Sequence, residues 1–176
     1  MTAGFARTEA VLEPSFVEGL DALPVQEVRR RRDRALAERE FLSYLRRLLQ
    51  VHQDLLRAER DRRAAGAPPP DVVERVRSAL VAGPRGRGRG EAIRVNLPPE
   101  DLDEAERWVD RVLGPALGLR PEELEGEVLG RVLESLEREE RAVSERRAAV
   151  IRVHDRLQGE LRRRYREDPG LIPGPA

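Results

Sequence analysis

The chain has 176 residues, of which 38% are charged and only 3% aromatic, and its formal net charge is zero. That length suits one domain with or without tails, and so little aromatic bulk excludes a thick layered core in favour of long, solvated helices packed along a narrow seam. Neutrality excludes a global field drawing the chain onto nucleic acid or an anionic membrane, and the absence of cysteine removes disulfides, thiolate chemistry and Cys-based zinc sites.

Residues 1–24 are mixed in character, with Pro14 and Pro24, and read as a mostly flexible N-terminal tail in which Phe16, Val17 and Leu20 can dock as a short helix. No basic segment followed by an apolar run opens the chain, so a signal peptide is not expected. No stretch approaches the roughly 20 apolar residues of a membrane span. The expected location is the cytoplasm.

From Pro24 to about residue 65 there is neither Gly nor Pro, and a proline suits a helix's first turn. A helix of about 40 residues is about 60 Å long, too long to stand without a partner. The run Gly66–Asp71 stops it. Residues 71–82 read as a short amphipathic helix capped by Asp71, followed by a Gly-Arg loop. Glu100–Leu113 reads as another short helix, ended by Gly114 and Pro115. Pro121 is expected to open a second long helix running to about residue 167, acidic in its first turns and Arg-rich in its last, as the helix dipole favours. Residues 168–176 read as a C-terminal tail.

Apolar spacing joins the long helices. Leu42, Leu45, Leu49 and Leu56 follow a heptad rhythm in which His52 takes one position, and Leu136, Val143, Val150 and Leu157 recur every seventh residue. The expected fold is all-α: a long antiparallel two-helix coiled-coil hairpin with short connector helices.

The two long helices also share a polar pattern. The first carries Ser43-x-x-Arg46-x-x-x-Gln50-x-x-x-Asp54, and the second Glu140-x-x-x-Ser144-x-x-Arg147-x-x-x-Ile151-x-x-x-Asp155. Steps of three and four stay on one helical face, and each stripe begins roughly 60° from the apolar seam, on the same rotational side in both helices. An antiparallel pair has a pseudo-two-fold axis normal to the plane of the hairpin, so both stripes should line one surface, about 22 Å long. Carboxylates accept the N–H donors of a guanine's Watson–Crick edge, Arg forks onto guanine O6 and N7 or holds phosphate, and Ser and Gln complete the hydrogen bonding. Presented twice, these groups suit a cyclic dinucleotide containing guanine. In so charged a chain the alternative is a solvated face, although serine interior to a helix is mildly unfavourable and both serines here carry the same Arg and Asp offsets.

The doubled pattern E-x-x-x-S-x-x-R-x-x-x-Q-x-x-x-D, with its flanks FLSYLRRLLQVHQDLL at 41–56 and ERAVSERRAAVIRVHDRLQGELRRRYRE at 140–167, resembles RsiG. This is the cyclic di-GMP-dependent anti-sigma factor of filamentous actinobacteria, also known as an aerial mycelium formation protein. The resemblance implies that an intercalated cyclic di-GMP dimer binds on the hairpin, and that the loaded hairpin captures a WhiG-type sigma factor driving sporulation genes. It implies ligand contacts from Ser43, Arg46, Gln50, Asp54, Glu140, Ser144, Arg147 and Asp155. Two positions depart: Arg39 stands where the pattern has Glu, and Ile151 where it has Gln. Arg39 can hold a phosphate, whereas Ile151 can only pack, so the departures bear on affinity and stoichiometry more than on ligand identity.

Other features point elsewhere less strongly. His52 reads as a core polar residue, since no cluster completes a metal site. The Arg85–Gly90 loop can touch anions or nucleic acid but reads as a linker, and neither direct nucleic-acid binding nor membrane binding is expected. Arg29–Arg32 and Arg162–Arg164 read as solvated faces or as docking points for an acidic partner. Trp108 is expected to anchor the connector helix to the hairpin. No activated nucleophile, phosphate-cradling glycine loop or metal cluster suggests an enzyme. The other reading is a ligand-independent coiled-coil adaptor or anti-sigma scaffold; a homodimer or nucleic-acid-associated scaffold using the Arg-Gly loop is a third.

Overall fold

Two helices carry most of the computed structural model, which describes residues 5–69 and 97–172. The expected helix over 71–82 and the Arg-Gly loop lie outside the described residues. Helix α1 spans Ala6–Leu12, α2 Val25–Ala64, α3 Pro99–Leu113 and α4 Gly126–Glu167, with short 3-10 turns between them. Among the described residues there is no strand, and no helix is long and apolar enough to cross a membrane.

The two long helices run antiparallel. Near the start of α2, Arg29 donates to the Tyr165 hydroxyl at 2.8 Å, close to the end of α4; near its end, Arg57 donates to Glu137 at 2.8 Å. The predicted seam is the core: Leu42, Leu45 and Leu49 meet Leu136, Val143, Val150 and Leu157, all fully buried. Burial of each such leucine is worth about 2–5 kcal/mol against alanine. Charged pairs one turn apart support the outer faces, as in Arg31 to Glu27 and Arg164 to Glu160.

Gly66 stops α2 where expected. Its φ of 64° lets its own N–H bond the Arg63 carbonyl at 3.0 Å and the Ala67 N–H bond the Arg62 carbonyl at 3.1 Å, a Schellman closure that strains any residue with a Cβ. Gly114, with φ 49° and ψ −111°, ends α3, its own N–H bonding the Asp110 carbonyl. The second long helix starts later than the sequence suggested. Pro121–Glu123 is a separate 3-10 turn and α4 begins at Gly126. Arg63 accounts for the break: its Nη2 donates to the carbonyls of Pro121, Glu122 and Leu124, turning them towards α2 and away from a continuing helix.

The expected flexible tail is in fact packed. Phe5, Thr8, Val11, Phe16 and Leu20 are buried. Arg7 bridges Glu38 of α2 and Asp101 of α3, at 2.6 Å to each, and Thr8 donates to Glu38 at 2.5 Å. Glu38 is only 2% exposed, and these bonds offset the cost of burying it. Helix α1 thereby ties α2 to α3. Trp108 anchors α3 as expected: its indole N–H donates to Glu139 at 2.9 Å, and its ring lies 4.4 Å from that of Phe5.

The Arg blocks are not merely solvated faces. Arg31 donates to the Phe16 carbonyl at 2.9 Å, and Arg164 donates to the Leu23 carbonyl at 2.7 Å and to Leu20. They pin the chain before α2 onto both long helices. His52 is only half-buried, and burial followed by the opposing influence of Asp110 on α3 leaves its pKa below the ordinary histidine value. The buried polar residue at the seam is instead its neighbour Gln53, which donates to the Leu136 carbonyl at 3.0 Å.

Candidate functional site

Both polar stripes meet on one face of the hairpin, because α2 and α4 place them to the same side of the shared seam and at the same height. Their contacts are reciprocal. Arg46 Nε donates to Ser144 Oγ at 2.9 Å, and Arg147 Nε donates to Ser43 Oγ at 2.8 Å. Each arginine thus reaches the serine of the opposite copy, as a pseudo-two-fold relation between the helices requires.

Around Arg46 the network is closed. Its Nε also donates to Glu140 Oε1 at 2.8 Å, Ser144 donates to the same oxygen at 2.9 Å, and Gln50 Nε2 adds a longer bond of 3.2 Å. Burial of Glu140 favours its neutral form, but the hydrogen bonds from Arg46, Ser144 and Gln50 outweigh that and hold its carboxyl below the usual range.

Around Arg147 the network is open. Position 39, which corresponds to Glu140, is an arginine, so Ser43 has no carboxylate to bond and donates to the Arg39 backbone carbonyl at 2.6 Å. Burial, and then the charges of Arg46 and Arg39, push the Arg147 guanidinium below its ordinary pKa. It stays protonated, but in unfavourable company.

Ser43, Arg46, Gln50, Glu140, Ser144 and Arg147 are therefore brought into one polar cluster made of two hydrogen-bonded sets, Arg46 with Ser144, Glu140 and Gln50, and Arg147 with Ser43. Asp54 and Asp155 are not part of it. They sit towards opposite ends of the stripes with side chains 79% and 68% exposed. Asp54 has Arg57 at 3.8 Å, and Asp155 lies 3.3 Å from His154 Nδ1. Arg39 opens onto a groove beside Asp155, His154, Arg32 and Arg162. Ile151 is half-buried. Among the described residues no group of three or more His, Asp or Glu side chains is placed to hold a metal.

Sequence reasoning placed both stripes on one side of the hairpin by rotation but missed the cross-helix exchange of partners. It also treated Glu140 as a ligand contact alone, whereas here its carboxylate is the acceptor on which one half of the face converges. A hint was present in the spacing, since Glu140 and Ser144 lie one turn apart. The Arg46 partnership depends on how far one helix slides past the other, which no local pattern records.

The fold and face define an all-helical hairpin protein with a doubled polar motif on one surface. Residues 14–80 match the family described as RsiG-like. The match takes in the whole of α2 and the first copy of the motif; the second copy, on α4, lies outside it. No curated protein and no solved structure matches the chain.

Proposed function

We propose that this chain is an anti-sigma factor that binds cyclic di-GMP on the face shared by α2 and α4 and, when loaded, sequesters a WhiG-type sporulation sigma factor in the cytoplasm. The RsiG-like match over α2 supports the anti-sigma role. The observation that carries the ligand reading is the reciprocal contact of Arg46 with Ser144 and of Arg147 with Ser43. It presents matching donors in two-fold register, as a two-fold, anionic dinucleotide needs.

The side chains divide the work by chemistry. Asp54 and Asp155, well exposed and outside the central network, accept the N1–H and N2–H donors of two guanine edges. Arg46 and Arg147 supply forked donors for O6 and N7 or for phosphate. Ser43, Ser144 and Gln50 complete the polar shell, and Glu140 keeps Arg46 extended across the face until a ligand competes for it. A ligand seated between the stripes adds a new surface to the hairpin, and the sigma factor recognises protein and ligand together. No step of this scheme needs catalysis.

Capture of a WhiG-type sigma factor on the immobilised chain, with and without cyclic di-GMP, tests the proposal. Capture only in the presence of ligand is expected. Equal capture in both conditions would replace the switch with a ligand-independent adaptor.

A further inference from the structure

The two departures from the doubled motif fall on different helices and look unrelated along the chain. In three dimensions they are partners. Gln50 of α2 donates to Glu140 of α4, and the relation that exchanges Arg46 with Arg147 and Ser43 with Ser144 carries Gln50 onto Ile151 and Glu140 onto Arg39. The second Glu–Gln pair is thus the one replaced, both members at once, while the first is intact.

The replacement changes the charge of one half of the face. In the intact half Arg46 is neutralised by Glu140 at 2.8 Å. In the other, neither Arg39 nor Arg147 has a carboxylate within ion-pairing distance among the described residues, although Arg147 is partly shielded by the hairpin. The adjoining groove sets Arg32, Arg39 and Arg162 against one carboxylate, Asp155. Arg32 is already engaged by Asp33 at 2.7 Å, whereas Arg39 and Arg162 share the groove's single carboxylate at longer range, and the charge of Arg39 bears directly on Arg147. Ile151 has no donor to lose when the carboxylate disappears, so replacing Gln at the same time avoids stranding a half-buried amide.

We infer that Arg39 and Ile151 are one concerted exchange, and that the half of the face they occupy is a phosphate subsite rather than a second half matching that of Glu140 and Gln50. The face is then polar in the electrical sense: one half offers a balanced hydrogen-bonding network, the other an unbalanced cation pair for a phosphodiester of the bound nucleotide. This inference rests on the cyclic di-GMP reading and specifies how an asymmetric face takes that ligand.

Calorimetry of the full chain with cyclic di-GMP at low and high salt tests it, using wild type, Arg39→Glu, Ile151→Gln and the double variant. Arg39→Glu is expected to weaken binding about tenfold or more at low salt and less at high salt, as loss of a charge-assisted contact would. The ligand-free Arg39→Glu protein should melt higher than wild type, because a carboxylate at position 39 would face Arg147 as Glu140 faces Arg46. That rise also shows that the variant folds. Ile151→Gln should raise the melting temperature further when combined with Arg39→Glu, where its amide can bond the new carboxylate as Gln50 bonds Glu140, and not when made alone. Wild-type affinity and salt dependence in Arg39→Glu would overturn the subsite, and an Ile151→Gln effect equal in both backgrounds would overturn the concerted pair. Absence of binding by the wild-type chain would instead sink the cyclic di-GMP reading, and the subsite with it.

Discussion

Replacing Glu140 by Gln removes the acceptor on which half of the polar face converges, and its effect can be worked from the structure. The carboxylate takes bonds from Arg46, Ser144 and Gln50 at 2.8, 2.9 and 3.2 Å. Its side chain is 17% exposed and that of Arg46 is 39% exposed. A fully exposed ion pair contributes about 0–1 kcal/mol, and hydrogen bonds to a charged group about 1.5–3 kcal/mol. This half-shielded cluster falls between, at about 1–2 kcal/mol. An amide oxygen can still accept one bond, but Arg46 is left facing Arg147 with no intervening negative charge. For a chain of this size each kcal/mol moves the melting temperature by about 2–4 °C, so Glu140→Gln should melt about 2–8 °C below wild type in low-salt buffer. Screening shortens the reach of charge from about 10 Å at 0.1 M to about 3 Å at 1 M ionic strength, so the deficit should shrink in high salt. Thermal melts followed by circular dichroism at both ionic strengths measure it. A variant that melts with wild type at both would refute the reasoning that Glu140 neutralises Arg46.

Other perturbations test the frame that positions the face. Leu45→Ala, at a fully buried seam position, should cost about 2–5 kcal/mol by chemical denaturation, and a cost below about 1 kcal/mol would show that the helices are not packed there. Gly66→Ala meets nothing within 4 Å but forces a φ of +64° on a residue with a Cβ, so it should cost about 1–2 kcal/mol through backbone strain alone. Stability should also fall in acid. Arg62, against the opposition of burial and with help from Arg63, holds the Glu59 carboxyl at about 2; Arg163, against burial and with Arg164, does the same for Glu160. Carboxyls depressed in the folded state contribute fully above their ordinary value of 4.5 and lose that contribution as pH falls through about 2. Melting temperatures should therefore drop across that interval, and Glu59→Gln should flatten the drop; an unchanged profile would contradict the assignment.

The hairpin was legible because its signals are local or periodic. Leu42, Leu45 and Leu49 mark one side of a helix, Leu136, Val143 and Val150 mark another, and the end of α2 follows from Gly66. The late start of α4 was not legible, because it depends on Arg63 reaching across to carbonyls near Pro121. Packing of α1 was missed for a related reason. The short stretch from Phe5 to Leu12 has weak periodicity, and it is held by Arg7 bridging Glu38 and Asp101 on two other helices. The polar stripes could be read residue by residue and placed on one surface by rotation alone. What rotation does not give is which residue faces which, and so the pairing of Arg46 with Ser144 and the kinship of Arg39 with Ile151 emerge only when the helices are docked.

The most direct test of the central claim is calorimetry of cyclic di-GMP with the full chain, alone and with a WhiG-type sigma factor. Saturable binding is predicted, weakened about tenfold or more in Asp54→Ala and in Asp155→Ala if each carboxylate reads a guanine edge. Undetectable binding both with and without the sigma factor would contradict the account.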